Sequence, residues 1–322
     1  MDLFLVTPEQ RPKLSSNDQH LSSIVLFKWL FYTTRLFGLS GFSLIKHGNN
    51  EYVEPSVKWK VYSLLMMGIN TAIIPLILKG LSATKSYASF VGIMSSVTKS
   101  LSAVVCQGVC LYHGKPLIAF INTLSIETIP QEKVRRISLL CKVVSFPAVF
   151  WITWICYTGI TFSLHRSQDS IFFDSMFIFS SVYKSLGIII PFLCDLRFAA
   201  YVLILTEQLY ALSSEITFSV GKSKLLMSKY EPYSKRYLDI FGRADVLNNI
   251  FAYPLVLSIL DGFLEILTNT FILIRIGFKS WDLAFNLACN FSVILTRMVI
   301  VLAVCDKAAK AVSMVDIIGT YH

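Results

Sequence analysis

The sequence predicts an all-α fold, a polytopic membrane helix bundle with six spans. Three observations predict it. Charged residues make up 15% of the 322 and hydrophobic ones 54%, against about 25% charged in an ordinary soluble domain, and mean hydropathy is +0.61. That leaves too few charges to cover a soluble exterior. Two stretches, 61–78 and 143–164, run 18 and 22 residues without a charge, close to the ~20 that a spanning helix needs. Lysine and arginine also crowd into alternate connections.

Taken in chain order, residues 1–60 read as a cytoplasmic segment. Residues 1–23 contain no apolar run of the signal-peptide kind, so no cleavable signal is expected there. Residues 22–46 are apolar but broken by Lys28 and Arg35, and Gly38 and Gly41 weaken a long helix. An interfacial or re-entrant helix is expected, with an extra span as the alternative. Spans follow at 61–78, 86–112 (Lys99 inside), 143–164, 175–194 (Lys184), 246–274 (Asp261 and Glu265) and 283–305 (Arg297). A short cytoplasmic tail covers 306–322. The longest loop is 195–246. No run alternates steadily between apolar and polar residues, so no strands are expected.

Orientation follows from where the cations sit. The N-terminal segment, the second and fourth loops and the tail together hold 21 Lys and Arg, and the other three loops hold 5. By the positive-inside rule the N-terminus is cytoplasmic. The net charge of +9 is explained this way, and no nucleic-acid partner is expected. The loop bases Lys222, Lys224, Lys229, Lys235 and Arg236 read as a solvated positive-inside face, with anionic lipid as a weaker reading.

No enzyme is expected. Five histidines are scattered without metal-ligand spacing, and HExxH, GxSxG and GxGxxG are absent. Gly221-Lys222-Ser223 lacks the upstream glycine of a P-loop, because position 216 is Ile. Seven cysteines form no CxxC pair and read as small buried hydrophobes. No cofactor or metal site is expected. The sequon Asn290-Phe291-Ser292 lies within a span.

The charges inside the spans carry the most information. Each costs at least ~2.5 kcal/mol at mid-membrane, so each needs a partner or water. Asp261 and Glu265 are spaced i, i+4 and share a helix face. Lys99, Lys184, Asp261 and Glu265 are the ligand-binding candidates, lining a polar cavity between helices. Arg297 is a structural or gating candidate. The competing readings are ion pairs that only hold the bundle together and, behind both, a proton relay.

The segment FYTTRLFGLSGF at 31–42 resembles the stretch before the first span of insect gustatory receptors. LNNIFAYPLVL at 247–257 is similar to that family's start of span five, and Cys305-Asp306 with the small and basic residues after it resembles its exit from span six. The resemblance implies a seven-span chemoreceptor related to insect odorant receptors, at the plasma membrane with its N-terminus inside. It implies a tetramer, with like or unlike subunits, that opens a cation channel when a small-molecule tastant enters the outer half of the bundle. It also implies long cytoplasmic helix extensions at 198–212 and 233–246, and a seventh helix lining the pore. The sequence ends 17 residues after Cys305, and Thr320-Tyr321 comes too early to be that helix's threonine-tyrosine signature. A truncated or non-conducting form is therefore expected. The alternatives are a six-span transporter or its accessory subunit, which paired broken helices or inverted repeats would favour, and a G-protein-coupled receptor, which the orientation disfavours. The other expected partner is membrane lipid.

Overall fold

The computed structural model describes residues 28–47, 50–82, 87–124, 129–165, 171–222, 231–276 and 281–320. Eight helices and one β-hairpin make up these residues. Helix α1 (Lys28–Leu36) leads into strands β1 (Phe42–His47) and β2 (Asn50–Pro55). Then come α2 (Val57–Ser82), α3 (Tyr87–Tyr112), α4 (Gly114–Thr123), α5 (Gln131–His165), α6 (Ile171–Lys222), α7 (Glu231–Ile276) and α8 (Trp281–Thr320). Each of the six apolar runs falls within one long helix, except that Ser86, where the second run starts, lies outside the described residues.

Helix α1 stops where its sequence says it must. Gly38 adopts φ +74, a conformation a side chain makes costly. The Leu39 amide donates to Thr34 O at 2.9 Å and the Gly38 amide to Arg35 O at 3.1 Å, which satisfies the last carbonyls of the helix in a Schellman cap. A Cβ at Gly38 would also lie 3.0 Å from Met66 Cβ. Arg35 stacks its guanidinium 3.8 Å above the Trp59 ring centroid. The described helix is nine residues, about half of what a span requires. Residues 22–27 lie outside the described residues.

The hairpin corrects the expectation of no strands. β1 and β2 pair antiparallel from Phe42↔Pro55 to His47↔Asn50. The pair between them in sequence is Gly48-Asn49, a dipeptide that favours a two-residue hairpin connection. Alternation is weak because only the base of the hairpin is covered: Phe42 and Val53 are buried, while Ile45 and Tyr52 are exposed. The edge of β2 is satisfied by a side chain. Asn122 of α4 accepts from the Val53 amide at 3.0 Å and donates to its carbonyl at 2.9 Å.

Helix α6 is the hub, packed against α3, α5, α7 and α8. Every residue from Gly187 to Ala200 is buried, as expected of a helix whose apolar residues surround its axis. Gly187 allows α3 to approach closely: a Cβ there would sit 3.1 Å from Lys99 Cβ. The outward faces of α2, α5, α7 and α8 carry exposed apolar side chains, among them Leu65, Phe146, Val256 and Leu302. Such a belt is what lipid would cover. By length and composition three described segments can cross a membrane, Leu186–Phe218, Glu231–Phe271 and Ala288–Val315. A fourth can be counted if Met94–Tyr112 and Gly114–Thr123, bent by 69°, are one broken span.

The connection expected at 195–246 is largely helical. Both segments expected as extensions are helical, continuing α6 to Lys222 and starting α7 at Glu231. Helix continues because its polar residues find partners there. Glu207, on α6, binds Lys133 of α5 at 2.8 Å and Lys307 of α8 at 2.7 Å, pinning three helices at one point. Arg197, counted above as a loop cation, is 2% exposed. It donates to Leu39 O, Ser40 Oγ and Tyr201 OH and stacks over Phe42, which fastens the hairpin module to the hub.

Candidate functional site

Four of the five residues singled out from the spans meet in the interior. Helix α7 supplies Asp261 and Glu265, one turn apart on its inward face, 3% and 4% exposed. Their sequence neighbours Leu260 and Phe263 point outward, so the 3.6-residue period of an amphipathic helix places the carboxylates inside. Helix α8 contributes Arg297 and, seven residues earlier, Asn290. Helix α3 contributes Ser95 and Lys99, spaced i, i+4. The Lys184 side chain lies outside the described residues.

Two clusters form. In one, Arg297 Nε lies 3.1 Å from Asp195 Oδ2 and its Nη1 3.3 Å from Asp261 Oδ2. Arg297 Nη2 donates to Ser258 Oγ at 2.6 Å, and the Ser258 hydroxyl donates to Asp195 Oδ2. In the other, Lys99 Nζ lies 2.7 Å from Glu265 Oε1. Ser95 Oγ donates to Glu265 Oε2, and Asn290 Nδ2 donates to Glu265 Oε1. Asn290 Nδ2 also reaches Asn269 Oδ1 at 3.5 Å. Because Asp261 and Glu265 are neighbours on one helix, the two clusters make one network across α3, α6, α7 and α8.

Asp195 is the charged member that the sequence does not single out, and Ser95, Ser258 and Asn269 are polar members it does not single out either. The apolar run ends at Cys194, which puts Asp195 at the start of the expected loop. The signal was present, since the apolar residues resume at once with Leu196, Phe198 and Ala199. A charge at a run's end suggests exposure, whereas this one marks a partner 102 residues away.

The described part of the network holds three carboxylates and two cations. Its polar capacity is not fully used. Asp195 Oδ1, Asn269 Nδ2 and Asn290 Oδ1 are buried without a hydrogen-bond partner among the described residues. Unpaired polar atoms in a low-dielectric interior are costly, so they favour any polar group that can enter. Among the described residues no group of three His, Cys, Asp or Glu could hold a metal ion.

A family model described as 7tm Chemosensory receptor matches residues 27–315. The chain belongs to the 7tm chemosensory receptor family. No curated protein matches the chain. The solved structures that share the fold of this chemosensory receptor include two of the insect olfactory receptor OR5 from Machilis hrabei. One has 15% identity and a TM-score of 0.72, covering 91% of this chain and 82% of that one. The other, in complex with eugenol, has 15% identity and a TM-score of 0.74, covering 93% and 90%. The chemosensory receptor is thus a multi-pass membrane protein, and its family and fold are those of a receptor rather than an enzyme. Its interior network ties four helices through charge-assisted hydrogen bonds, roughly twice as strong as neutral ones. Helix α8 cannot slide past α6 and α7 without breaking the contacts of Arg297.

Proposed function

We propose that this chain is a gustatory receptor that senses a small-molecule tastant at the plasma membrane and acts within a tetrameric ligand-gated cation channel, with homo- or heteromeric subunits. It crosses the membrane six times at the runs given above, with residues 1–60 and 306–322 in the cytoplasm. The observation that carries this reading is the chemosensory family match over 27–315. The 31–42 and 247–257 resemblances and the cation asymmetry support its gustatory and inverted form.

The two clusters then divide the work. With the N-terminus inside, α7 runs outward and α8 runs inward, so Glu265, Asn269 and Asn290 lie on the outer side of Asp261 and Arg297. A tastant entering from outside meets Lys99, Glu265 and the unpartnered amide atoms first. Asp261 flanks that floor, one turn from Glu265, and Lys184 stays a ligand-binding candidate by its place in the sequence. Arg297 lies beneath and holds α8, so a ligand that re-pairs Glu265 alters the neighbour of the group that fixes α8. The eugenol complex belongs to the olfactory receptor; it supports a small, weakly polar ligand class here.

The test is a tastant panel on cells expressing the chain with other gustatory receptor subunits, read by calcium entry. At least one tastant should give a dose-dependent signal. Glu265→Gln keeps the shape but removes the charge, and a hydrogen bond to a charged group is worth about 1.5–3 kcal/mol. The half-maximal concentration should move by about tenfold or more at matched surface expression. An unchanged curve would remove Glu265 from the site, and silence across the panel would count against the receptor reading itself.

A further inference from the structure

A second polar site lies at the opposite end of α3 from Ser95, away from the interior network. Here α3 ends at Tyr112 and α4 turns away by 69°. The bend leaves a cavity of about 250 Å³ between the hairpin base, the start of α2 and the start of α4. Phe42, Pro55, Leu111 and Ile118 give it apolar walls, and Lys60 and Lys115 line it as its two cations.

Neither lysine has a carboxylate partner among the described residues. This sets them apart from Lys28, Lys99, Lys133 and Lys307, each of which has one. Glu54 is the acidic residue beside Pro55, but strand alternation sends it to the other face of β2. The Lys60 stem lies against the hairpin, where a Cβ at Gly41 would come within 2.8 Å of Lys60 Cγ. Gly41 therefore leaves the room in which Lys60 is seated. No side chain caps the start of α4, so the positive end of that helix also faces the cavity through Gly114 and Lys115. Two ammonium groups and an uncapped helix start ask for an anion with several acceptor oxygens. The surroundings ask for more than a free ion. Tyr112, 84% exposed, and Val61 and Leu64 on α2 present apolar surface outward beside the opening.

We infer that this cavity binds the phosphate headgroup of an anionic phospholipid, with its acyl chains against the exposed apolar flank. In the orientation proposed above the site opens on the cytoplasmic leaflet, where anionic lipid is concentrated. The chemistry of the site does not depend on that orientation. A bound headgroup bridges the hairpin, α2 and α4, adding to the tie that Asn122 makes between α4 and the hairpin.

The experiment uses the full chain purified in detergent and short-chain dioctanoyl lipids, with bound lipid counted by native mass spectrometry. Dioctanoyl phosphatidylinositol 4-phosphate should bind saturably, and dioctanoyl phosphatidylcholine should not compete with it. Each basic residue near a membrane surface contributes about fivefold in affinity. Lys60→Gln with Lys115→Gln should weaken binding about 30-fold, and Lys115→Gln alone, an exposed position that cannot disturb folding, about fivefold. The control pair Lys46→Gln with Lys58→Gln, nearby lysines outside the cavity, should change it less than twofold. Equal losses in both pairs would show a diffuse surface charge and overturn the site. Free inositol 1,4-bisphosphate binding as tightly as the lipid would overturn the lipid assignment in favour of a soluble phosphate. Unchanged binding in Lys115→Gln and in the cavity pair would overturn both.

Discussion

Replacing Arg297 with methionine should remove most of the folded receptor from a detergent extract. The change leaves Asp195 and Asp261 buried and facing each other without a cation, since Arg297 is the cation that meets both. Breaking a buried pair from one side costs about 3–5 kcal/mol, because the surviving charge keeps its desolvation penalty and loses its compensation. Removing all the charges together can be nearly neutral. The triple variant Arg297→Met, Asp195→Asn, Asp261→Asn should therefore recover much of the lost yield. Fluorescence-detected size exclusion before and after a heat step measures this. A coupling of about 1 kcal/mol or more is expected for groups in direct contact. A triple variant no better than Arg297→Met alone would mean that these three charges do not meet.

The second large effect concerns Lys99 and Glu265, and it should be asymmetric. Glu265 accepts from Lys99, Ser95 and Asn290. Lys99 has Glu265 as its only acceptor among the described residues. In Lys99→Met the carboxylate keeps two neutral donors. In Glu265→Ala the ammonium, whose side chain is 12% exposed, keeps none. Glu265→Ala should lose about 3 kcal/mol or more, and Lys99→Met clearly less. Adding Lys99→Met to Glu265→Ala should restore stability. The readout is the melting midpoint of each purified variant and the double. Equal losses that simply add would show that the two side chains are not paired and that both face water.

The sequence made some of this visible and hid the rest for a physical reason. Long uncharged runs identify helices because in lipid a helix satisfies all its backbone hydrogen bonds within the segment. The i, i+4 spacing placed Asp261 and Glu265 on one face because helix geometry is local. Gly38 foretold the end of α1 for the same reason. Partners were less legible. Arg297 meets Asp195 across 102 residues and Arg197 meets Ser40 across 157, and no local pattern encodes such distances. Asp195 and Arg197 are two residues apart but point to different neighbours, the first to α7 and α8, the second to the hairpin. Read locally they look like the solvated start of a loop. The hairpin is hard to read although Gly48-Asn49 is a dipeptide that favours turns, because a strand pair covered only at its base shows little alternation. The cavity at Lys60 and Lys115 needed the bend at His113, which joins segments 55 residues apart.

Orientation is the claim on which the proposed function rests, since it decides which cluster a tastant meets first and which leaflet the lysine cavity faces. The direct measurement is antibody access to two epitope-tagged versions of the chain on cells. One carries a tag after Leu5, the other after Ser170. Reading the cation asymmetry as topology, the tag after Ser170 should stain on intact cells, and the tag after Leu5 only after permeabilisation. Staining of the Leu5 tag on intact cells, with the Ser170 tag hidden until the membrane is opened, would contradict the orientation. It would also contradict the assignment of the Glu265 cluster to the tastant.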